Sequence, residues 1–362
     1  LKEKAGLFKD PYKKKDLSLD TSKALKVSYD LASESIVLLK NENLPLNKKT
    51  KVSLLGKYVS EKDVLGPWSW HGDPNNTDEL SKYINAYYKS DFEIFEHYDI
   101  EKIKKTEHII LAIGETRHDS GEAHSKADIN ISLHYETLIK KLSKLNIPIT
   151  LVLYTGRPLV ITNIVPFVNN ILVHFHLGSM TSKVVADTIY GINNPSGKLP
   201  MTFPRHIGQV PIYYNHLSSG RPYQETDPYT MKYIDISNEP MYEFGYGLSY
   251  SKFKYSNLEI TNKKATLNNL PTIKVTVTNE SNIKGKESVL LYIKDDFSSI
   301  ARPVKELKQF KKITLKPNES KVVEFKLSKE DLSFYNHDLK KMVEKGTFTI
   351  YIEELYTEFE LE

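Results

Sequence analysis

From Gly114 to Ile129 the chain reads GETRHDSGEAHSKADI, which places Glu115, Glu122, Asp119, Asp128, His118, His124, Arg117 and Lys126 in one short run. Residue types of this kind can do acid–base chemistry. Cleavage of a glycosidic bond usually uses two carboxyl groups: one protonates the leaving oxygen, the other attacks or activates water. Glu122 sits between Gly121 and Ala123, so little neighbouring bulk shields it, and it suits the proton donor. His118, Asp119, His124 and Lys126 are types that bind sugar hydroxyls or tune a carboxyl pKa. On composition alone, a solvated loop with ordinary ion pairs is the commoner origin of such a run. Both readings stay open at this point. The histidines and acids fit no strong zinc spacing, so no metal ligands are assigned and no cofactor is implied.

A second segment, Val64 to Asp73, reads VLGPWSWHGD and holds both tryptophans, Trp68 and Trp70. Indole rings stack on sugar faces, and they equally anchor loops in a core. His174 and His176 alternate along a strand pattern, which suits one core histidine and one near the sheet end. Gly178-Ser179-Met180 opens a helix after that strand without any phosphate-binding pattern, so a plain helix start is the better reading.

The elements that would position these residues alternate between two periods. A helix pattern covers Leu17 to Lys40, with Asp20 or Thr21 as its cap. Strands are expected at Lys51–Gly56, Ile109–Ile113, Ile149–Tyr154 and Ile171–Phe175, and helices at Ser132–Leu145 and Ser179–Tyr190. Near-continuous apolar strands with helices between them predict an α/β sandwich, a mainly parallel sheet covered by helices. In such sheets ligands sit beyond the carboxyl ends of strands, where the acidic run lies. Gly191 to Tyr250 is rich in proline, glycine and tyrosine and reads as an ordered connection. Beyond Phe253 the pattern turns to alternation: in Thr272–Thr278 apolar residues fall at every second position, and Ser288–Ile293, Ser320–Leu327 and Thr347–Ile352 read as further strands. Short strands with turn signals between them predict a fibronectin type III-like β-sandwich. The expected units are 1–50, 51–215 (the α/β sandwich), 216–256 (a connecting segment) and 257–362 (the β-sandwich).

Bulk properties narrow the function. With 362 residues, 40% of them apolar, the chain can bury more than one core. A net charge of +4, with both signs interspersed, argues against a nucleic-acid surface. Lys13-Lys14-Lys15 and Lys311-Lys312 read as solvated faces. There is no cysteine, so disulfides and thiolate chemistry are excluded, which is compatible with export. No stretch approaches the roughly 20 apolar residues of a membrane span. The first residues do not form a signal peptide.

Several segments together resemble glycoside hydrolase family 3, of the bacterial periplasmic β-glucosidase type. They are GLFKDPY, ESIVLLKNENLPL, DVLGPWSWHGD, NNPSGKLPMTFPR, GQVPIYYNH, GRPY, YEFGYGLSY and RPVKELKQF, in the family's order and spread over nearly the whole chain. The resemblance implies a retaining β-glucosidase-type enzyme whose aspartate nucleophile lies on an N-terminal barrel. Its acid/base glutamate then comes from a loop of the α/β sandwich. SGEAHSKADI carries that role to Glu122 rather than Glu115, which is expected to stabilise the loop. Trp68, Trp70, His118 and His124 are the expected substrate-binding residues. Residues 1–50 are expected to be the end of the barrel and a linker helix. The barrel, in the same protein or a separate chain, is then the expected partner and a β-glucoside or oligosaccharide the substrate, in the periplasm or outside the cell. The same chemistry on a β-xyloside, or a non-catalytic carbohydrate-binding or assembly module, are the alternatives. One departure is Gly178-Ser179-Met180-Thr181-Ser182, where relatives tend to carry a Gly-Thr-Glu-Gly-Gly-like helix start.

Overall fold

The structure, a computed structural model, describes residues 1–12, 21–70, 72–87 and 98–362. Lys13–Lys15, Leu17, Asp20 and His71, all named above, lie outside the described residues. The chain forms α1 (Thr21–Ser35), β1 (Val37–Lys40), β2 (Val52–Leu55), α2 (Leu80–Tyr87), α3 (Ile100–Ile103) and β3 (His108–Gly114). There follow α4 (Leu133–Ser143), β4 (Ile149–Tyr154), β5 (Asn170–His174) and α5 (Thr181–Ile189).

These strands make one sheet in the order β1-β5-β4-β3-β2. β2 to β5 are mutually parallel, and β1 pairs antiparallel with β5. Alternation along each strand feeds two apolar layers. Ile109, Leu111 and Ile113 of β3 face the layer that also holds Leu138, Ile139 and Leu142 of α4. Ile110 and Ala112 face the opposite layer, with Val184, Val185 and Ile189 of α5 and Leu80 and Ile84 of α2. A sheet buried on both faces explains why its strands read as apolar runs rather than alternating ones. α4 starts where expected: Ser132 caps it by accepting from the Tyr135 N–H at 3.4 Å.

One element departs from the sequence reading. The helix expected to run to Lys40 stops at Ser35. Ile36 and Leu38 enter one apolar layer, and Val37 and Leu39 enter the other. A helix on the surface cannot bury four successive side chains, whereas a strand between two layers can. Residues 37–40 therefore complete the sheet edge, although they fall in the segment set apart as 1–50. The far end of the unit returns to this edge. Leu248 N donates to Leu38 O at 2.8 Å, and Gly197 N donates to Ile36 O at 3.1 Å.

The remaining strands form a β-sandwich. They are β6 (Phe253–Ile260), β7 (Lys264–Ala265), β8 (Thr272–Asn279), β9 (Gly285–Asp295), β10 (Glu306–Leu315) and β11 (Ser320–Lys326). After the short α6 (Lys329–Leu332) come β12 (Phe334–Tyr335), β13 (Lys341–Met342), β14 (Gly346–Ile352) and β15 (Leu355–Leu361). One sheet has the order β10-β9-β14-β15-β7 and faces a second, β11-β8-β6, while β12 and β13 pair separately as a two-stranded sheet. Ile273, Val275 and Val277 of β8 alternate into the core with Leu291, Phe325, Ile350 and Phe359. Ion pairs join this sandwich to the α/β unit: Lys286 to Glu34, Lys312 to Glu34 at 3.4 Å, and Lys198 to Glu287 at 3.0 Å. Lys312, expected on a solvated face, thus lies against the C-terminal end of α1. There the carboxylate of Glu34 and its backbone carbonyl both receive it.

Candidate active-site loop

The acidic run begins as β3 ends. Gly114 has φ +149, and a Cβ on it would sit 1.9 Å from Tyr154 O of β4. Only glycine lets the chain leave the sheet so close to its neighbour. Glu115 follows and turns inward. It is 7% exposed, and its N–H donates to Tyr154 O at 2.8 Å. Its carboxylate accepts from Thr155 Oγ1 at 3.0 Å, Gly156 N at 3.3 Å and Lys126 Nζ at 3.3 Å, and it lies 3.4 Å from Arg157 Nε. Tyr58 OH donates to Glu115 O.

Asp119 completes the base of the loop. It accepts from Thr116 N and Oγ1, each at 2.7 Å, and pairs with Lys126 at 2.8 Å. Partial burial works against its charged form. The bonds from Lys126 and Thr116 outweigh that and hold its pKa down at about 2. The same contacts raise the pKa of Lys126 against its own desolvation. A cleft of about 700 Å³ opens beside this base, lined by Glu115, Thr116, Asp119, Lys126 and Tyr135 among others. Glu122 does not line it.

The tip is different. Gly121 at φ +101 and Ala123 at φ +62 flank Glu122 in a tight turn closed by His124 N donating to Gly121 O at 3.2 Å. Glu122 is exposed, and its carboxylate has no ion-pair or hydrogen-bond partner among the described residues. His124 Nδ1 donates to the Glu122 carbonyl at 2.6 Å, and the His118 and His124 rings are 6.5 Å apart.

The tryptophan segment packs against this tip. A Cβ on Gly121 would meet Pro67 at 2.8 Å and Trp68 Cε2 at 3.9 Å. Arg117 ties the segments together by pairing with Asp63 at 3.3 Å and donating to Ser69 Oγ at 3.2 Å. Trp68 and Trp70 are 73% and 79% exposed, so neither indole anchors its loop in the core. Trp68, His118, Glu122 and His124 therefore share one neighbourhood. Trp70 follows Trp68 in the same segment, at φ +43. His174 is buried, and burial with His176 beside it lowers its pKa to about 3. His176 lies just past the strand end, its pKa also lowered by burial.

Sequence reasoning missed Arg157, Asp63 and Ser69. Arg157 follows β4, the strand beside β3. An arginine just past one parallel strand, next to a long acidic loop from its neighbour, is the signal that could have found it.

The fold and the loop define a class: a three-layer α/β sandwich that presents an acidic loop at its strand ends and carries a β-sandwich behind it. The chain belongs to glycosyl hydrolase family 3; residues 36–250 match the family's C-terminal domain, and residues 287–355 match a fibronectin type III-like domain. The periplasmic beta-glucosidase of Salmonella typhimurium is 34% identical to it, over 96% of this chain and 52% of that protein. A beta-xylosidase of Formosa agariphila is also 34% identical, over 96% of this chain and 51% of that protein. The crystal structure of a beta-glucosidase from Listeria innocua in complex with isofagomine superposes with a TM-score of 0.94 at 34% identity, over 99% of this chain and 54% of that one. The chain thus spans about half the length of the curated relatives it matches.

Proposed function

We propose that this chain supplies the general acid/base, Glu122, to a retaining β-glucosidase-type glycoside hydrolase. The observation that carries the reading is the state of Glu122: an exposed carboxylate without a partner among the described residues, at the tip of a loop whose base is locked to the sheet. A carboxyl group meant to meet a substrate must be free to do so. The nucleophile is an aspartate of a barrel domain, in the same protein or a separate chain, which would account for the other half of the relatives' length. It attacks the anomeric carbon while Glu122 protonates the leaving oxygen. Glu122 then removes a proton from the incoming water, and the sugar leaves with retained configuration. Retaining chemistry places the two carboxyl groups about 5 Å apart, so the Glu122 tip must reach the barrel mouth. Trp68 and Trp70 offer stacking faces to the leaving group, and His118 and His124 offer hydrogen bonds to sugar hydroxyls.

In domain terms the same reading takes α1 as a linker helix and starts the α/β unit at β1. The β-sandwich braces that unit and has no chemistry of its own. Terminal β-D-glucosyl residues are the favoured substrate. The Formosa relative's name, a beta-xylosidase, favours a β-xyloside as the second reading. The Salmonella relative's name supports a periplasmic or secreted location.

The test is turnover of an aryl β-glucoside by this chain alone and by the chain joined to its barrel. The chain alone should be inactive. In the joined form Glu122→Ala should slow poor leaving groups about 100-fold or more, with azide restoring part of the activity on activated aryl glucosides. Robust turnover by the chain alone would sink the reading.

A further inference from the structure

The placement of Glu122 depends on a residue outside its own loop. The turn from Ser120 to His124 is not a self-sufficient structure. Gly121 and Ala123 both take left-handed backbone conformations, and for alanine that is unfavourable. One backbone bond and one histidine side chain are the bonds that close it from within. Arg157 closes it from outside. Its Nη2 donates to Asp119 O on one shoulder and to His124 O, at 3.1 Å, on the other. Its Nε faces Glu115 at 3.4 Å, so one planar guanidinium meets the base and both shoulders at once.

Arg157 is itself well fixed. Its N–H donates to Thr155 Oγ1 at 3.1 Å, and Thr155, which directly follows β4, donates its own N–H to His174 O of β5 at 3.3 Å. The strand beside the loop's own strand therefore holds the turn.

We propose that Arg157 is a positioning residue for Glu122: it clamps the two shoulders of the turn so that the carboxyl group stands at a fixed place relative to the bond it protonates. This rests on the acid/base reading of Glu122. Proton transfer is sensitive to placement, and a shift of about 1 Å can cost about 100-fold in rate. In the first step, read by kcat/KM, the loss should appear only where the leaving group needs a proton. Lysine cannot replace the fork, because one ammonium cannot hold the two carbonyls that Nη2 meets and also stand where Nε faces Glu115.

The experiment uses the barrel-joined protein, with cellobiose as the poor leaving-group substrate and dinitrophenyl β-glucoside as the activated one. Arg157→Lys should lower kcat/KM on cellobiose, which reports the step that needs the proton, about 10- to 100-fold, with kcat/KM on the activated substrate changed less than about threefold. Glu122→Ala should show the same selectivity, more strongly. In this chain alone, amide exchange of residues 119–126 should rise about tenfold in Arg157→Lys, while β3 and β4 keep their protection. Selective loss in Glu122→Ala with wild-type cellobiose turnover in Arg157→Lys overturns the proposal and leaves the acid/base reading standing. Equal losses of kcat/KM on both substrates in Glu122→Ala overturn that reading, and the proposal with it. Unchanged exchange at 119–126 overturns the clamp whatever the kinetics.

Discussion

Base and tip of the same loop contrast sharply. At the base, Glu115 is buried and meets Thr155, Gly156, Lys126 and Arg157. At the tip, seven residues on, Glu122 is exposed with no partner among the described residues. Two glutamates of identical chemistry thus have opposite duties, decided by surroundings alone. The base converts its charges into rigidity, and the tip keeps its charge available. A loop can do both only if its anchoring bonds leave one carboxyl group out.

Four measurements would break or sharpen this contrast. The largest effect is expected at the base. Glu115→Ala leaves Arg157 and Lys126 without their buried counter-charge and should cost about 3 kcal/mol in urea unfolding. A loss under about 1 kcal/mol would mean that the base is not an anchor. Next comes the junction of base and tip. Gly121→Val puts a branched side chain at φ +101, where even a Cβ meets Pro67 at 2.8 Å. It should cost roughly 2 kcal/mol, read as a fall in melting temperature.

The third is acid titration of the base. The pKa of Asp119 is depressed from near 3.8 to about 2. A depressed carboxylate stabilises the fold above its unfolded pKa and loses that contribution as pH falls through the folded value. Asp119 should therefore contribute roughly 1 kcal/mol, after screening at its partly exposed site, and lose it between about pH 4 and pH 2. Comparing urea midpoints of the wild type and Asp119→Asn over that range checks it, since the two should converge at the acid end. The smallest effect belongs to the tip. Glu122→Gln should change stability by less than about 0.5 kcal/mol, because no internal contact is lost. A larger loss would show that the tip is structural after all.

The sheet was legible in the sequence because β3, β4 and β5 are buried on both faces and so read as apolar runs. The β-sandwich was legible for the opposite reason: β8 buries every second residue, and its polar positions show the period. β1 was misread because Ile36 to Leu39 follow a helix directly and extend its apolar content. Their alternation between two layers only becomes meaningful once β5 is beside them. Glu122 stood out through the motif around it, and its exposure agrees with the small residues on either side. Arg157 was invisible for a physical reason. Its partners lie 33 to 42 positions earlier, and only the adjacency of β3 and β4 brings them together. Spacing within a motif reports local structure, not which strands are neighbours.

The bond between Leu248 and Leu38 has an architectural consequence. The matched α/β stretch begins at Ile36 and closes at Tyr250, so its two ends lie side by side on one sheet edge. A unit with adjoining ends behaves as a cassette: it can be lifted out of a longer chain, or set between new modules, without prising its host apart.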